Sequence, residues 1–189
     1  MTFASPQFVE AISSNGRRLR VTFVWTRDRF AHNIALIDGT RHVPLLASAD
    51  CCDTPSDWPL SPPMQQLSVE AIDNHSPTAF LVGMAGRSHW SAVMQPVANQ
   101  LAIDFDMAVR VAVLPPFAGS GYRTMVDANL HGSQSAELKI DDLRCEIIAD
   151  IETHTSIEKT VDGVSLPCRQ TPSRFPATLR WKYRIRAGE

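Results

Sequence analysis

The residues best suited to chemistry lie on two neighbouring stretches, 87–97 and 101–113, that fit the strands of one hairpin. One polar face of this hairpin combines a histidine, a serine, two aspartates and two arginines: Arg87, His89, Ser91, Asp104, Asp106 and Arg110. Histidine exchanges protons near neutral pH, and paired aspartates bind cations or orient polar ligands. These six residues are the candidate ligand-binding set, and no residue qualifies as a firm catalytic group.

The register of the hairpin follows from a turn centred on residues 99–100. Four cross-strand pairs are predicted, two apolar and two polar: Trp90–Val109, Met94–Phe105, Gln95–Asp104 and His89–Arg110. The polar face either lines a barrel mouth or cleft, or is the solvated side of an antiparallel sheet. Mixed charges are usual on a solvated face, which favours the second interpretation.

A second candidate is the last strand of the chain, where cations alternate with apolar residues. The cations are Arg180, Lys182, Arg184 and Arg186. Four positive charges on one strand face could bind phosphates or an acidic partner. Charges on an edge strand also prevent unwanted pairing, and we favour this reading because Trp181 and Tyr183 point away from the cations. The net charge of −2 argues further against nucleic acid as the partner.

Two adjacent cysteines, Cys51 and Cys52, are weak candidates for a metal site. Thiolates bind soft metals, but adjacent side chains on an extended segment point apart, and the chain contains no CxxC, HExxH or HxH motif. We therefore predict no metal and no cofactor. Because no export signal precedes them, these two cysteines and Cys145 and Cys168 are expected to be reduced thiols in a cytoplasmic protein.

The elements that position these residues are predicted to be strands. Leu19, Val21, Phe23 and Trp25 lie on one face of a strand with Arg20 and Thr22 on the other, and Asp-Gly turns at 38–39 and 162–163 are typical of hairpins. The 189 residues suit one domain, 1–189. The predicted fold is an all-β antiparallel sandwich or barrel of about nine or ten strands.

Several segments depart from the strand pattern. Residues 5–14 are predicted to form a short N-terminal helix, and the stretch FVEAIS within them also fits a strand. Residues 49–63 and 115–121 are proline-rich and are predicted to be long loops, with Trp58 anchoring the first to the body. Residues 129–135 are predicted to be a polar link.

Three functions are compatible with these patterns. The first is a non-catalytic β module that binds a small ligand or a protein, including a second copy of itself as a homo-oligomer. The second is an enzyme that uses His89, Asp104, Asp106 and Arg110, and the third is a binder of acidic partners through the last strand. No apolar run approaches the roughly 20 residues of a membrane span, so no membrane partner is expected.

Overall fold

A computed structural model describes residues 7–49, 58–71 and 76–188. The described chain is all-β, and every strand pairing in it is antiparallel. It has fifteen strands rather than the nine or ten expected. Several of them are too short to be recognised from the alternation of apolar and polar residues. The predicted fold class is confirmed.

The strands, in chain order, are β1 (Gln7–Ile12), β2 (Arg18–Thr26), β3 (Arg29–Asp38), β4 (Arg41–Ser48), β5 (Met64–Glu70), β6 (Thr78–Ala85), β7 (Ser88–Pro96), β8 (Ala102–Val111), β9 (Gly119–Thr124), β10 (Asp127–His131), β11 (Ser135–Ile140), β12 (Leu143–Ala149), β13 (Glu158–Lys159), β14 (Gly163–Pro167) and β15 (Ala177–Ala187).

The strands form one sheet that curves until it is nearly closed into a barrel. Its order is β10-β11-β12-β15-β8-β7-β6-β5-β3-β4-β9-β14-β13, with β2 paired to β3 and β1 paired to β2. The two ends of this path meet where the Ile157 N–H donates to the Ser133 carbonyl at 2.8 Å. The interior is one continuous apolar core, which includes Phe105, Trp181 and Ile185.

The central hairpin has the predicted register. β7 and β8 pair with Trp90 opposite Val109 and His89 opposite Arg110, and the other two predicted pairs are also present. Hairpins are also found at both Asp-Gly sites, but each turn is displaced by one residue from its predicted position. Asp38 is the last residue of β3 and pairs with Arg41, and Gly163 is the first residue of β14. Strict alternation along β7 and β8 fixes which face is buried, so a turn position was enough to fix the pairs.

Three local predictions need correction. The loop predicted at 115–121 is shorter, because residues 119–121 belong to β9 and pair with β14. The N-terminal segment is a strand rather than a helix, because β1 pairs with β2 along its whole length and buries Val9 and Ala11 in the core. The segment predicted to be a polar link contains most of β10, which pairs with β11. In all three cases the structure is decided by pairing with a neighbouring strand. The local sequence does not encode this pairing.

The described part of the first proline-rich loop, residues 58–63, packs onto the core and is called the proline segment below. Trp58 stands 5.5 Å from Trp90 between ring centroids, as the anchor prediction required. The Ser61 hydroxyl donates to the Gly121 carbonyl at 2.8 Å. The backbone of the segment also runs directly against Gly83 of β6 and Gly121 of β9, where a side chain would obstruct it.

Within the described ranges, no helix has the length and apolarity needed to cross a membrane.

Candidate ligand-binding groove

The outer face of the sheet carries a groove of about 490 Å³ above β12, β15, β8 and β7. It is called the β15–β8 groove below. Two adjacent cross-strand rows of side chains line it. The first row is Ile148, Arg184, Asp104 and Gln95, and the second is Asp150, Lys182, Asp106 and Val93. Asp150 belongs to the second row because its N–H donates to the Lys182 carbonyl at 3.0 Å.

The groove unites two candidate sites that the sequence presented separately. β15 lies between β8 and β12, and its register places Arg184 opposite Asp104 and Lys182 opposite Asp106. β15 is therefore an interior strand, and the expectation that its cations protect a free edge is wrong. Those cations instead face the aspartates of β8.

Ion pairs connect the two strands across the groove. Arg184 binds Asp104 through two hydrogen bonds, Nε to Oδ1 at 2.6 Å and Nη2 to Oδ2 at 2.8 Å. Arg180 binds both oxygens of Asp106 in the same manner, with its Nε 2.7 Å from Oδ1. Lys182 Nζ lies 3.4 Å from Asp106 Oδ2. Planar guanidinium groups suit this two-point geometry, and a lysine ammonium does not.

These contacts shift the acid–base properties of the groove. Partial burial raises the pKa of Asp106, but the hydrogen bonds and charges of Arg180 and Lys182 outweigh burial and lower that pKa below its ordinary value. The hydrogen bonds to Asp104 likewise raise the pKa of Arg184. Asp106 is consequently a carboxylate, and Arg184 a cation, throughout the neutral pH range.

Four of the six predicted hairpin residues lie outside the groove. Arg87, His89, Ser91 and Arg110 are exposed and do not line it, whereas Asp104 and Asp106 do. His89 faces Arg110 across the hairpin. The proline segment, which is the described part of the first loop, does not line the groove either.

The fourth cation of β15 lies in a separate surface groove. Arg186 donates two hydrogen bonds to Glu146 Oε2, at 2.9 and 2.6 Å, in a groove that Glu137 and Arg144 also line. Every cation of β15 thus has an acidic partner within the described chain.

This pairing makes β15 a poor site for polyanions. We expect the protein to pass through a heparin column at about physiological salt, because a polyanion would have to displace the aspartates bound to Arg180 and Arg184, and Lys182 alone cannot retain it. Retention that disappears when Arg180, Lys182 and Arg184 are all changed to Ser would contradict this expectation and would support an acidic partner.

The inner face of β15 carries a hydrogen-bonded chain that sequence reasoning missed. His32 Nε2 lies 2.8 Å from the Tyr122 hydroxyl, which lies 2.5 Å from the Tyr183 hydroxyl. Next to them, Trp181 Nε1 donates to Ser120 Oγ at 3.0 Å. All five side chains are buried.

Burial changes the acid–base behaviour of this chain. It lowers the pKa of His32 to about 4 and raises the pKa of Tyr122 and Tyr183 well above the ordinary value. The sequence did contain a signal that His32 is buried. His32 lies two and four positions from the core residues Ile34 and Leu36 on β3, so its side chain lies on the same face of the strand. The chain has two tyrosines, and both belong to this network.

The structure describes two of the four cysteines. Cys51 and Cys52 lie outside the described residues. Cys145 and Cys168 are free thiols, and burial raises the pKa of Cys145 to about 12, which makes it unreactive. Across the described ranges, no three His, Cys, Asp or Glu side chains are grouped so as to hold a metal ion.

No protein-family model matches this sequence, and no curated protein is significantly similar to it. The groove is therefore the feature from which a function can be inferred.

Proposed function

We propose that the protein is a non-catalytic binding module whose small polar ligand lies in the β15–β8 groove and contacts Lys182. The observation that carries this proposal is that the three cations Arg180, Lys182 and Arg184 differ in how many of their N–H donors bind an aspartate. Arg180 and Arg184 each commit two N–H groups to one aspartate, whereas the Lys182 ammonium has three donors and one neighbouring carboxylate at 3.4 Å. Lys182 can therefore bind an additional anionic group without breaking an existing pair.

The dimensions and lining of the groove also support a small ligand. Its volume lies within the range of about 300–1,000 Å³ that is usual for small-molecule sites. Half-buried Ile148 and Val93 lie at opposite ends of the groove, so each end offers one apolar side chain, beside Asp150 at one end and Gln95 at the other. A ligand with one anionic group and a short apolar body fits this arrangement.

The same geometry supports binding over catalysis. A general acid or base works best when its pKa lies near the operating pH. The pKa of Asp106 is lowered instead, Asp104 is held by Arg184, and His89 lies outside the groove.

The proposal is tested with a branched carboxylate, 4-methylpentanoate, and the variant Lys182→Met. Methionine keeps most of the apolar length of lysine but removes the ammonium. A charge-assisted hydrogen bond at a half-exposed site contributes about 1.5 kcal/mol, so we expect roughly tenfold weaker binding. Ligand-observed NMR titration measures this change, because millimolar affinities are within its range.

The matched control is Lys139→Met, which removes the same charge from an exposed position on β11. Its affinity for 4-methylpentanoate should equal that of the unmodified protein. Equal binding by all three proteins, or binding by none, would overturn the proposed site.

A further inference from the structure

The charges in the β15–β8 groove do not balance locally. Asp104 is paired with Arg184, and Asp106 receives both Arg180 and Lys182. Asp150, in contrast, forms no ion pair within 4.0 Å with any cation of the described chain. Since Arg180 alone already engages both oxygens of Asp106, the groove has one surplus cation, Lys182, and one surplus anion, Asp150.

These two surplus charges are neighbours. The backbone hydrogen bond from Asp150 to Lys182 places the two residues next to each other on neighbouring chain segments, whose backbones are about 4.8 Å apart. One oxygen of Asp150, Oδ1, accepts the Glu152 N–H at 2.8 Å and fixes the turn, which leaves Oδ2 as an acceptor. The hydrogen bond to Asp106 and, to a smaller extent, the charge of Asp150 raise the pKa of Arg180. The Arg180 guanidinium is nevertheless bound to Asp106 and not to Asp150.

Surplus charges of opposite sign on adjacent residues match a compact zwitterion. We propose, building on the function proposed above, that the ligand is a free α-amino acid, with its carboxylate on Lys182 and its ammonium on Asp150. Ile148 precedes Asp150 by two positions on the same face, so it offers an apolar surface to an aliphatic side chain of the ligand.

The experiment compares L-leucine with two compounds that each lack one charged group. The first, 4-methylpentanoate, lacks the amine, and the second, 3-methylbutylamine, lacks the carboxylate. We expect leucine to bind about tenfold more tightly than either compound in a calorimetric or NMR titration, because each loses one charge-assisted contact.

The variant Asp150→Asn assigns the amine contact. Asparagine retains a side-chain oxygen for the Glu152 N–H but loses the charge, so the preference for leucine over 4-methylpentanoate should disappear. The matched control is Glu152→Gln, which removes one negative charge from the same turn and should keep the preference.

The outcomes separate this inference from the function on which it rests. If leucine and 4-methylpentanoate bind equally and both weaken in Lys182→Met, the groove binds anions and the amino-acid inference is wrong. If the preference for leucine survives in Asp150→Asn, the ammonium lies elsewhere and the inference is again wrong. If none of the three compounds binds, both proposals fail.

Discussion

Replacing Gly83 with alanine is expected to destabilise the protein by about 3 kcal/mol or more, the largest effect anticipated for a change of one methyl group. A Cβ at this position would lie 1.9 Å from the Pro63 carbonyl oxygen and 2.9 Å from the Met64 Cα. Both are backbone atoms, so no rotation of a side chain can relieve the clash. β6 or the proline segment must move instead.

The measurement is thermal or urea unfolding of Gly83→Ala beside Gly188→Ala. For a domain of this size, 3 kcal/mol corresponds to a fall in Tm of about 6–12 °C. Gly188 is the matched control, because the nearest atom to its added methyl would be 3.9 Å away and ordinary contact would result. If the two variants have the same stability within about 0.5 kcal/mol, the proline segment does not rest on Gly83.

The contact at Gly83 also links the proline segment to the core. Gly83 pairs with Trp90 on β7, and Trp90 packs against Trp58 in the same segment. Movement of the segment should therefore alter the environment of both indole rings. We expect the intrinsic fluorescence of Gly83→Ala to shift, while that of Gly188→Ala stays unchanged.

Local patterns predicted the β7–β8 hairpin down to its register. Alternation specifies which side chains are buried, and a turn position then leaves one pairing that keeps both apolar faces together. Trp90 opposite Val109 and His89 opposite Arg110 followed from these two facts alone. The same reasoning failed for the N-terminal strand, because its few residues fit both the two-residue period of a strand and the 3.6-residue period of a helix.

The groove could not be predicted in the same way, because it depends on pairing between distant segments. Residue 184 is 80 positions from residue 104, and no turn connects β8 to β15 directly. A signal was nevertheless present. Aspartates at 104 and 106 and cations at 180, 182 and 184 have the same two-residue spacing and opposite sign, as expected for strands that pair side by side.

Asp150 was still harder to anticipate. It follows the last residue of β12, where alternation ends, and its place beside Lys182 depends on a single backbone hydrogen bond. The buried chain from His32 to Tyr183 likewise depends on distant segments, since β3, β9 and β15 come together only when the sheet curves into its nearly closed form.

This buried chain makes stability depend on pH through His32. Burial lowers the pKa of the folded imidazole to about 4, against about 6.5 for an exposed one. Between these values the unfolded chain binds a proton that the folded protein does not, so stability falls as the pH falls. We expect His32 to remove about 2 kcal/mol of stability between pH 7.5 and pH 5.

The variant that isolates this effect is His32→Gln, because the amide can still hydrogen-bond to the Tyr122 hydroxyl but does not titrate. Urea unfolding at pH 7.5 and pH 5 should show that the unmodified protein loses about 2 kcal/mol more than His32→Gln does over this interval. His42→Gln, which changes an exposed histidine on β4, should retain the full loss. Carboxylates contribute equally to all three proteins, so the difference between them reports on His32 alone. Parallel pH dependence in the unmodified protein and His32→Gln would mean that this imidazole is accessible to protons in the folded state.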